Sequence, residues 1–433
     1  MSPIITGVLC HADRQPGHLA LLCHEKHFSY ADLASEIAAR MQALAAHHPD
    51  EITVNGDADM PDKVLDALAR LGLGFPIVGA TSGSIGPAKS YVRTQASWVS
   101  SFLLEKACFA IDADDCILAH GNPSHSLFFY AACNALYAGA TVACARGFRP
   151  DDLLAQAADL RATVLYAVPT QLEMIVRHSQ QRTVPSVRLV LSSGARFSTQ
   201  NIQSIKRIFP NANIIDFYGA SETSYIALAN HTSDSLLPAG AVGKSFPGVK
   251  LSIEPVQGFA ENRSAVPKSQ TEIGRIWVHS DMLFERYFGA APASFEESID
   301  QSGRRWITVG DLGWINAQGY LFLVGRTDRT INVSAVKIQP EEIEAALLTH
   351  PAVAHAAVIG LPDGLRGERL VAALQLKSSA LAAELIAHLR PRVDDHKVPR
   401  DYRLLSQWPM TPSGKTDFVA VRSLMLASDT KRL

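Results

Sequence analysis

The sequence has no excess of either charge. Its 433 residues hold 40 Lys plus Arg against 42 Asp plus Glu, a formal net charge of −2 at pH 7. A nucleic-acid binder normally carries a basic stripe and a high domain pI, so no nucleic-acid partner is expected. Only 19% of the residues are charged, yet the 28 Gly and 23 Pro are spread along the chain, and no segment reads as a low-complexity linker or disordered tail. Cysteine is scarce. Cys10, Cys23, Cys108, Cys116, Cys133 and Cys144 fall in the first third without a Cys-x-x-Cys pair. That pattern suits reduced core thiols in a cytoplasmic protein better than a disulfide framework or a zinc site. The first residues, MSPIITGVLCHADRQPG, lack a basic patch ahead of an apolar core, so a secretory leader is not expected. One uncharged run, Leu127 to Ala145, approaches the length of a membrane span. Asn134, two tyrosines and a break at Gly139 turn that reading into a buried helix followed by a buried strand, and no membrane span is expected.

What is present is apolar residue in quantity, 47% of the chain, enough for two or three domains at about 150 residues each. Short β-rich runs alternate with amphipathic stretches, which predicts an α/β protein. Strands are predicted at Thr163 to Val168, Val187 to Leu191 and Asn213 to Tyr218, with helices starting at Pro169 and Ser198 between them. Consecutive strand-helix units predict layered, mostly parallel sheets in a large N-terminal domain. From Val242 the texture changes to strands and turns, a small β-rich subdomain, including a hairpin that turns at Ala317-Gln318-Gly319. Pro340 to Leu348 reads as a helix with acids in its first turn. The chain is therefore divided near Asp328 into residues 1–327 and an α+β C-terminal domain, 328–433, of about 105 residues.

Four segments carry polar chemistry. Residues 80–89, ATSGSIGPAK, combine hydroxyls, glycines and a lysine, a composition that can surround phosphate oxygens, although the spacing is not that of a Walker loop. Asp216-Phe-Tyr-Gly-Ala-Ser-Glu-Thr223 follows an apolar strand and falls at the carboxyl edge of the sheet, where α/β proteins bind ligands. Thr308-Val-Gly-Asp311 places an acid in a turn, and Pro409-Met-Thr-Pro-Ser-Gly-Lys415 places a lysine on a stiffened loop. Each alone also reads as ordinary turn chemistry.

Together, in this order, they resemble the AMP-forming adenylating superfamily of acyl-CoA synthetases, peptide-synthetase adenylation domains and luciferases. The family motifs T-S-G-S/T-T-G-x-P-K-G, Y-G-x-T-E, T-G-D, G-R-x-D and P-x-T-x-x-G-K appear here as TSGSIGPAKS, YGASE, VGD, GRTD and PMTPSGK. Phe28-Ser-Tyr-Ala-Asp-Leu33 is similar to an early family element. The resemblance implies ATP and Mg²⁺ as cofactors and a mobile C-terminal domain. It implies that Thr81, Ser82, Gly83, Ser84, Gly86 and Lys89 hold the β- and γ-phosphates, and that Ser193, Gly194 and Ala195 wall the adenine pocket. Asp216 would meet the adenine amino group and Tyr218 would stack on the base, with Gly219 and Ala220 completing the motif. Ser221 would donate to the α-phosphate, Glu222 would bind the metal, and Asp311 and Arg326 would hold the ribose. Lys415 would bridge ribose, α-phosphate and substrate carboxylate, and Asp328 would be the hinge.

Family members that take α-amino acids place an Asp where this chain has Pro123-Ser-His-Ser-Leu-Phe-Phe129. An unpaired ammonium in an apolar pocket is costly, so the expected substrate is a small-molecule carboxylic acid, acyl or aryl, without an α-amino group. His125 matches the histidine that closes the acyl pocket, and Phe128 and Phe129 read either as pocket wall or as helix core. The acceptor implied is coenzyme A or the phosphopantetheine of an acyl or peptidyl carrier protein, and a non-catalytic nucleotide-binding relative is the third reading. Departures from the family pattern are Ile85, Ala88, Ser90 and Val309, together with Ala335, whose methyl the resemblance would put where pantetheine passes. Lys337, where an arginine is frequent, would meet the nucleotide phosphate of CoA or the AMP. The family usually has about twice as many residues before its phosphate loop, so residues 1–75 are read as a shortened first subdomain, with a homodimer expected to cover the reshaped side.

Overall fold

The uncharged run resolves at Gly139, whose φ of +87° separates the helix Ser126–Ala138 from the strand Thr141–Cys144. The computed structural model describes residues 2–23, 26–46, 60–80, 89–122, 126–145, 147–193, 199–234, 236–256, 273–334, 336–411, 415–427 and 431–433. The chain forms two compact units, one of residues 1–81, 90–249 and 280–289, the other of residues 82–89, 250–279 and 290–433.

The first unit contains β1 (Leu19–Cys23), β2 (Lys26–Ser29), β3 (Ile77–Ala80), β4 (Ser90–Arg93), β5 (Cys116–Ala119), β6 (Thr141–Cys144), β7 (Val164–Ala167), β8 (Leu189–Ser193), β9 (Asn213–Ala220), β10 (Ser224–Asn230) and β11 (Ala241–Ser245). Strands β1, β6, β5, β7, β8 and β9 pair in parallel in that order. Antiparallel β2 lies beside β1, and antiparallel β10 and β11 continue from β9. Every residue of β5, β6 and β7 is buried, as expected for parallel strands covered on both faces. Helices Ser126–Ala138, Pro150–Asp159, Pro169–His178 and Thr199–Ile208 make the crossovers. Each is the connection a parallel pair requires. A separate three-stranded sheet sets β4 between β3 and the two-residue β14 (Arg286–Tyr287).

The early element Phe28 to Leu33 has a structural account here. Asp32 accepts from the Ser29 amide at 3.0 Å and hydroxyl at 2.7 Å, tightening the start of the helix Tyr30–Ala46. The buried Tyr30 hydroxyl donates to the Ala140 carbonyl at 2.9 Å.

In the second unit, β12 (Lys250–Pro255), β13 (Gly274–His279), β15 (Glu296–Ile299), β16 (Arg305–Thr308), β17 (Asp311–Ile315) and β18 (Tyr320–Arg326) are joined by antiparallel ladders. The predicted hairpin is β17–β18. A second sheet uses only residues after Asp328: β19 (Ile331–Val333), β20 (Val336–Ile338), β21 (Val353–Asp363), β22 (Gly367–Leu376), β23 (Asp401–Leu404) and β24 (Lys431–Arg432). The helix Pro340–Leu348 packs on this sheet through the buried Ile343 and Leu347. Arg329 ties the entering chain to it. Its guanidinium reaches Glu341 at 3.0 Å and Glu344 at 2.6 Å and lies 3.6 Å over the Phe418 ring. The six cysteines are free thiols, and among the described residues no helix is long and apolar enough to cross a membrane.

Candidate active site

The carboxyl ends of β8 and β9 bring one group of predicted residues together. Ser193 ends β8 opposite Phe217, and Asp216 pairs with Ser192 one position earlier. Tyr218, Gly219 and Ala220 finish β9, and the chain turns through Ser221, Glu222 and Thr223 into β10. Gly219 is dictated by close approach, because a Cβ there would lie 1.9 Å from the Ser224 carbonyl oxygen. The Thr223 hydroxyl accepts from the Ala220 amide at 3.1 Å and closes the turn.

Glu222 is 7% exposed. The Tyr287 hydroxyl donates to its Oε1 at 2.6 Å, and the Phe284 amide donates to its backbone carbonyl at 2.7 Å. Arg93 is fully buried and donates to the carbonyls of Ser221, at 2.5 Å, and Met282. Burial pushes its guanidinium down to about 10 and pushes the Tyr91 hydroxyl upward. Sequence reasoning missed Tyr91, Arg93 and Tyr287. Alternation along Ser-Tyr-Val-Arg puts Tyr91 and Arg93 on one face of β4, but an arginine at the end of a four-residue run reads as solvated.

Phe128 lies over Gly121, where a Cβ would sit 2.1 Å from its ring. Phe129 packs at 5.7 Å from Trp98, and Tyr130 at 5.3 Å from the same indole. Both phenylalanines therefore have core partners. Through Asn134 the same helix reaches a polar cluster that the sequence did not advertise. Glu105, fully buried, accepts from Tyr166 at 2.5 Å and from Tyr225 and Asn134. Burial raises its carboxyl to about 8.

A second group of predicted residues lies within the second unit. Asp311 and Arg326 are direct partners across β17–β18, their charged groups 3.8 Å apart. Arg326 also donates to the Val309 carbonyl at 3.1 Å and to Asp328 at 3.1 Å. Gly310 between Val309 and Asp311 has φ +86°, and its Cβ would fall 2.6 Å from the Thr327 hydroxyl. The residue must be glycine on both counts. Lys415 is exposed and held by a local turn, its amide donating to the Thr411 hydroxyl at 3.2 Å and its carbonyl accepting from the Thr411 amide at 2.8 Å. Lys89 is half-buried immediately before β4. Thr81, Ser82, Gly83, Ser84, Gly86, His125, Gly194, Ala195 and Ala335 lie outside the described residues.

Among the described residues no group of three His, Cys, Asp or Glu side chains could cage a metal. A single buried carboxylate with one oxygen already held, as in Glu222, suits Mg²⁺, which usually takes one or two carboxylates and completes its shell with substrate phosphates and water.

The AMP-binding enzyme family pattern matches residues 78–288, and the AMP-binding enzyme C-terminal domain pattern matches residues 342–415. An uncharacterized acyl-CoA ligase, YhfT, of Bacillus subtilis is 31% identical over 397 residues, covering 91% of this chain and 78% of the relative. A putative long chain fatty acid-CoA ligase, VraA, of Staphylococcus epidermidis is 31% identical over 339 residues, covering 78% of this chain and 69% of the relative. Among solved structures, the o-succinylbenzoate CoA synthetase MenE of Bacillus subtilis, in complex with its acyl-adenylate intermediate, matches with a TM-score of 0.81. It is 21% identical, with 99% of each chain covered.

Proposed function

We propose, from the premise that the chain belongs to the AMP-binding enzyme family and is an AMP-forming acid–thiol ligase of the acyl-CoA ligase kind, that it works in the cytoplasm on an apolar acyl or aryl acid without an α-amino group and passes the acyl group to coenzyme A. The observation that carries the site reading is Glu222: a buried carboxylate at the carboxyl end of β9, fixed at one oxygen by Tyr287. Nothing in a sheet core calls for an acid in that place.

In the first half-reaction a substrate carboxylate oxygen attacks the α-phosphorus of ATP, the bond to the pyrophosphate oxygen breaks, and acyl-AMP remains. In the second, the thiol sulfur attacks the acyl carbon, AMP leaves, and the thiol proton passes to solvent. Bound Mg²⁺ supplies charge neutralisation at the phosphates. Glu222 would hold it, Ser221 and Lys89 would donate to phosphate oxygens, and Asp311 and Arg326 would orient the ribose. Lys415 would place its ammonium against the negative charge that grows on the α-phosphate, and positioning plus neutralisation is most of what such a transfer needs. The hinge at Asp328, dividing 1–327 from 328–433, belongs to this reading. It is supported by the second sheet being built wholly from later residues. The names of the relatives, an acyl-CoA ligase and a putative long chain fatty acid-CoA ligase, support the apolar acid and the coenzyme.

The test is acid-dependent exchange of labelled pyrophosphate into ATP across fatty, benzoic and amino acids. Exchange with fatty or benzoic acids, followed by thioester on coenzyme A, is the expected result. Thioester only on a phosphopantetheinyl carrier protein would replace the acceptor, and no exchange with any acid would favour a nucleotide-binding relative without catalysis. Light scattering tests the homodimer, and a monomer would count against it.

A further inference from the structure

Arg93 is 1% exposed, and the proposed reaction has so far given it no task. Its Nη1 donates to the Ser221 carbonyl at 2.5 Å, its Nη2 to the Met282 carbonyl and its Nε to the Ser97 hydroxyl at 3.3 Å. Among the described residues, no carboxylate is hydrogen-bonded to this guanidinium. Burying a cation on neutral acceptors is costly, and two carbonyls alone could be bridged by a neutral amide. The carbonyl that Nη1 holds is the one immediately before Glu222.

The contacts close a ring around that acid. The Ser221 carbonyl belongs to the peptide group that leads into Glu222, and Arg93 pins it. The Glu222 carbonyl belongs to the peptide group that leaves it, and the Phe284 amide pins that one at 2.7 Å. Phe284 is two residues beyond Met282, the second carbonyl on the Arg93 fork. Tyr287, three residues further on, holds Oε1 and leaves Oε2 for a cation. One guanidinium thus couples both segments that determine where the Glu222 carboxylate sits.

We propose that Arg93 is a positioning residue for adenylation, fixing the Ser221-Glu222 turn against the 282–287 segment so that the Glu222 carboxylate is set in advance for the metal of magnesium-bound ATP. The proposal rests on the functional reading above. Its action runs through the metal, and this separates it from a purely structural role.

The experiment titrates ATP, with magnesium and separately in EDTA, into the wild type, Arg93→Lys and Arg93→Gln by calorimetry, with melting curves in parallel. Lysine keeps the charge but offers no planar fork, so magnesium-ATP is expected to bind about tenfold more weakly to Arg93→Lys and more weakly still to Arg93→Gln. Metal-free ATP should change by less than about threefold, because the loss is transmitted through Glu222. Wild-type magnesium-ATP affinity in a folded variant, or an equal loss with and without magnesium, would overturn the proposal. Failure of both variants to fold would assign Arg93 to the core alone and overturn it too. A wild type that binds no ATP at all would instead remove the functional reading on which the proposal stands.

Discussion

Asp311 and Arg326 face each other across the β17–β18 ladder, and the guanidinium that stands 3.8 Å from Asp311 also reaches Asp328 at 3.1 Å. The residue read as a ribose ligand is therefore shared with the residue read as the hinge. Arg326→Ala removes a cationic partner from both acids. With charged hydrogen bonds contributing about 1.5–3 kcal/mol, KM for ATP in pyrophosphate exchange should rise at least about tenfold. Arg326→Lys should recover only part of this, because one ammonium cannot serve two carboxylates and a carbonyl as the fork does. An unchanged KM for ATP in the alanine variant would contradict the ribose assignment.

Lys415 sits on a turn that its own backbone closes with Thr411, so substitution of the side chain should leave the turn intact. Lys415→Ala is expected to slow pyrophosphate exchange about a hundred- to thousandfold, the effect of removing one preorganised donor from developing charge. Thioester formation from supplied acyl-adenylate should be far less affected if Lys415 serves the first half-reaction alone. Single-turnover assays of the two halves separate these outcomes.

Gly219 should tolerate no side chain. A Cβ placed 1.9 Å from the Ser224 carbonyl forces β9 and β10 apart at the turn that carries Glu222. Gly219→Ala should cost about 2 kcal/mol of stability and abolish exchange. A melting curve matching the wild type would show that the hairpin can open without penalty.

Glu105 predicts a pH dependence of stability. Its carboxyl is raised by burial from an ordinary 4.5 to about 8, with Tyr166, Tyr225 and Asn134 facing it. The folded protein keeps the proton while the unfolded chain releases it above 4.5. Stability from this group is complete at low pH and falls as pH rises towards 8, by at most about 1.4 kcal/mol per pH unit. Glu105→Gln cannot ionise, so its melting temperature should fall less between pH 5 and 8 than that of the wild type. Glu105→Ala leaves the polar groups of Tyr166, Tyr225 and Asn134 without the carboxyl they face, at about 1–3 kcal/mol for each buried group left unmet, and should be strongly destabilised at every pH.

The sequence made the parallel core legible because its strands are short, largely apolar and punctuated. Strands β7, β8 and β9 and the helices at Pro169 and Pro340 appear within a few residues of their predicted limits. The hairpin was equally plain, since Gly319 turns it at φ +82°. The motif glycines were visible as letters, but the contacts that require Gly219 and Gly310 come from residues on other strands or segments. Arg93 and Glu105 were not legible at all. A buried charge has the same one-letter symbol as a solvated one, and only the convergence of segments far apart in sequence, such as Ser221 and Met282 around Arg93, reveals that it is enclosed.

Arg329, one residue past Asp328, is bound by Glu341, Glu344 and the Phe418 ring. This fixes where the protein can be cut and rejoined. A chimera that takes its C-terminal segment from a relative should be spliced between Asp328 and Arg329, so that the guanidinium travels with its carboxylates. A junction placed a few residues later would separate the guanidinium from the buried Glu344 and the half-buried Glu341, and breaking a buried pair costs about 3–5 kcal/mol. For modular engineering, the graftable cassette begins with the arginine.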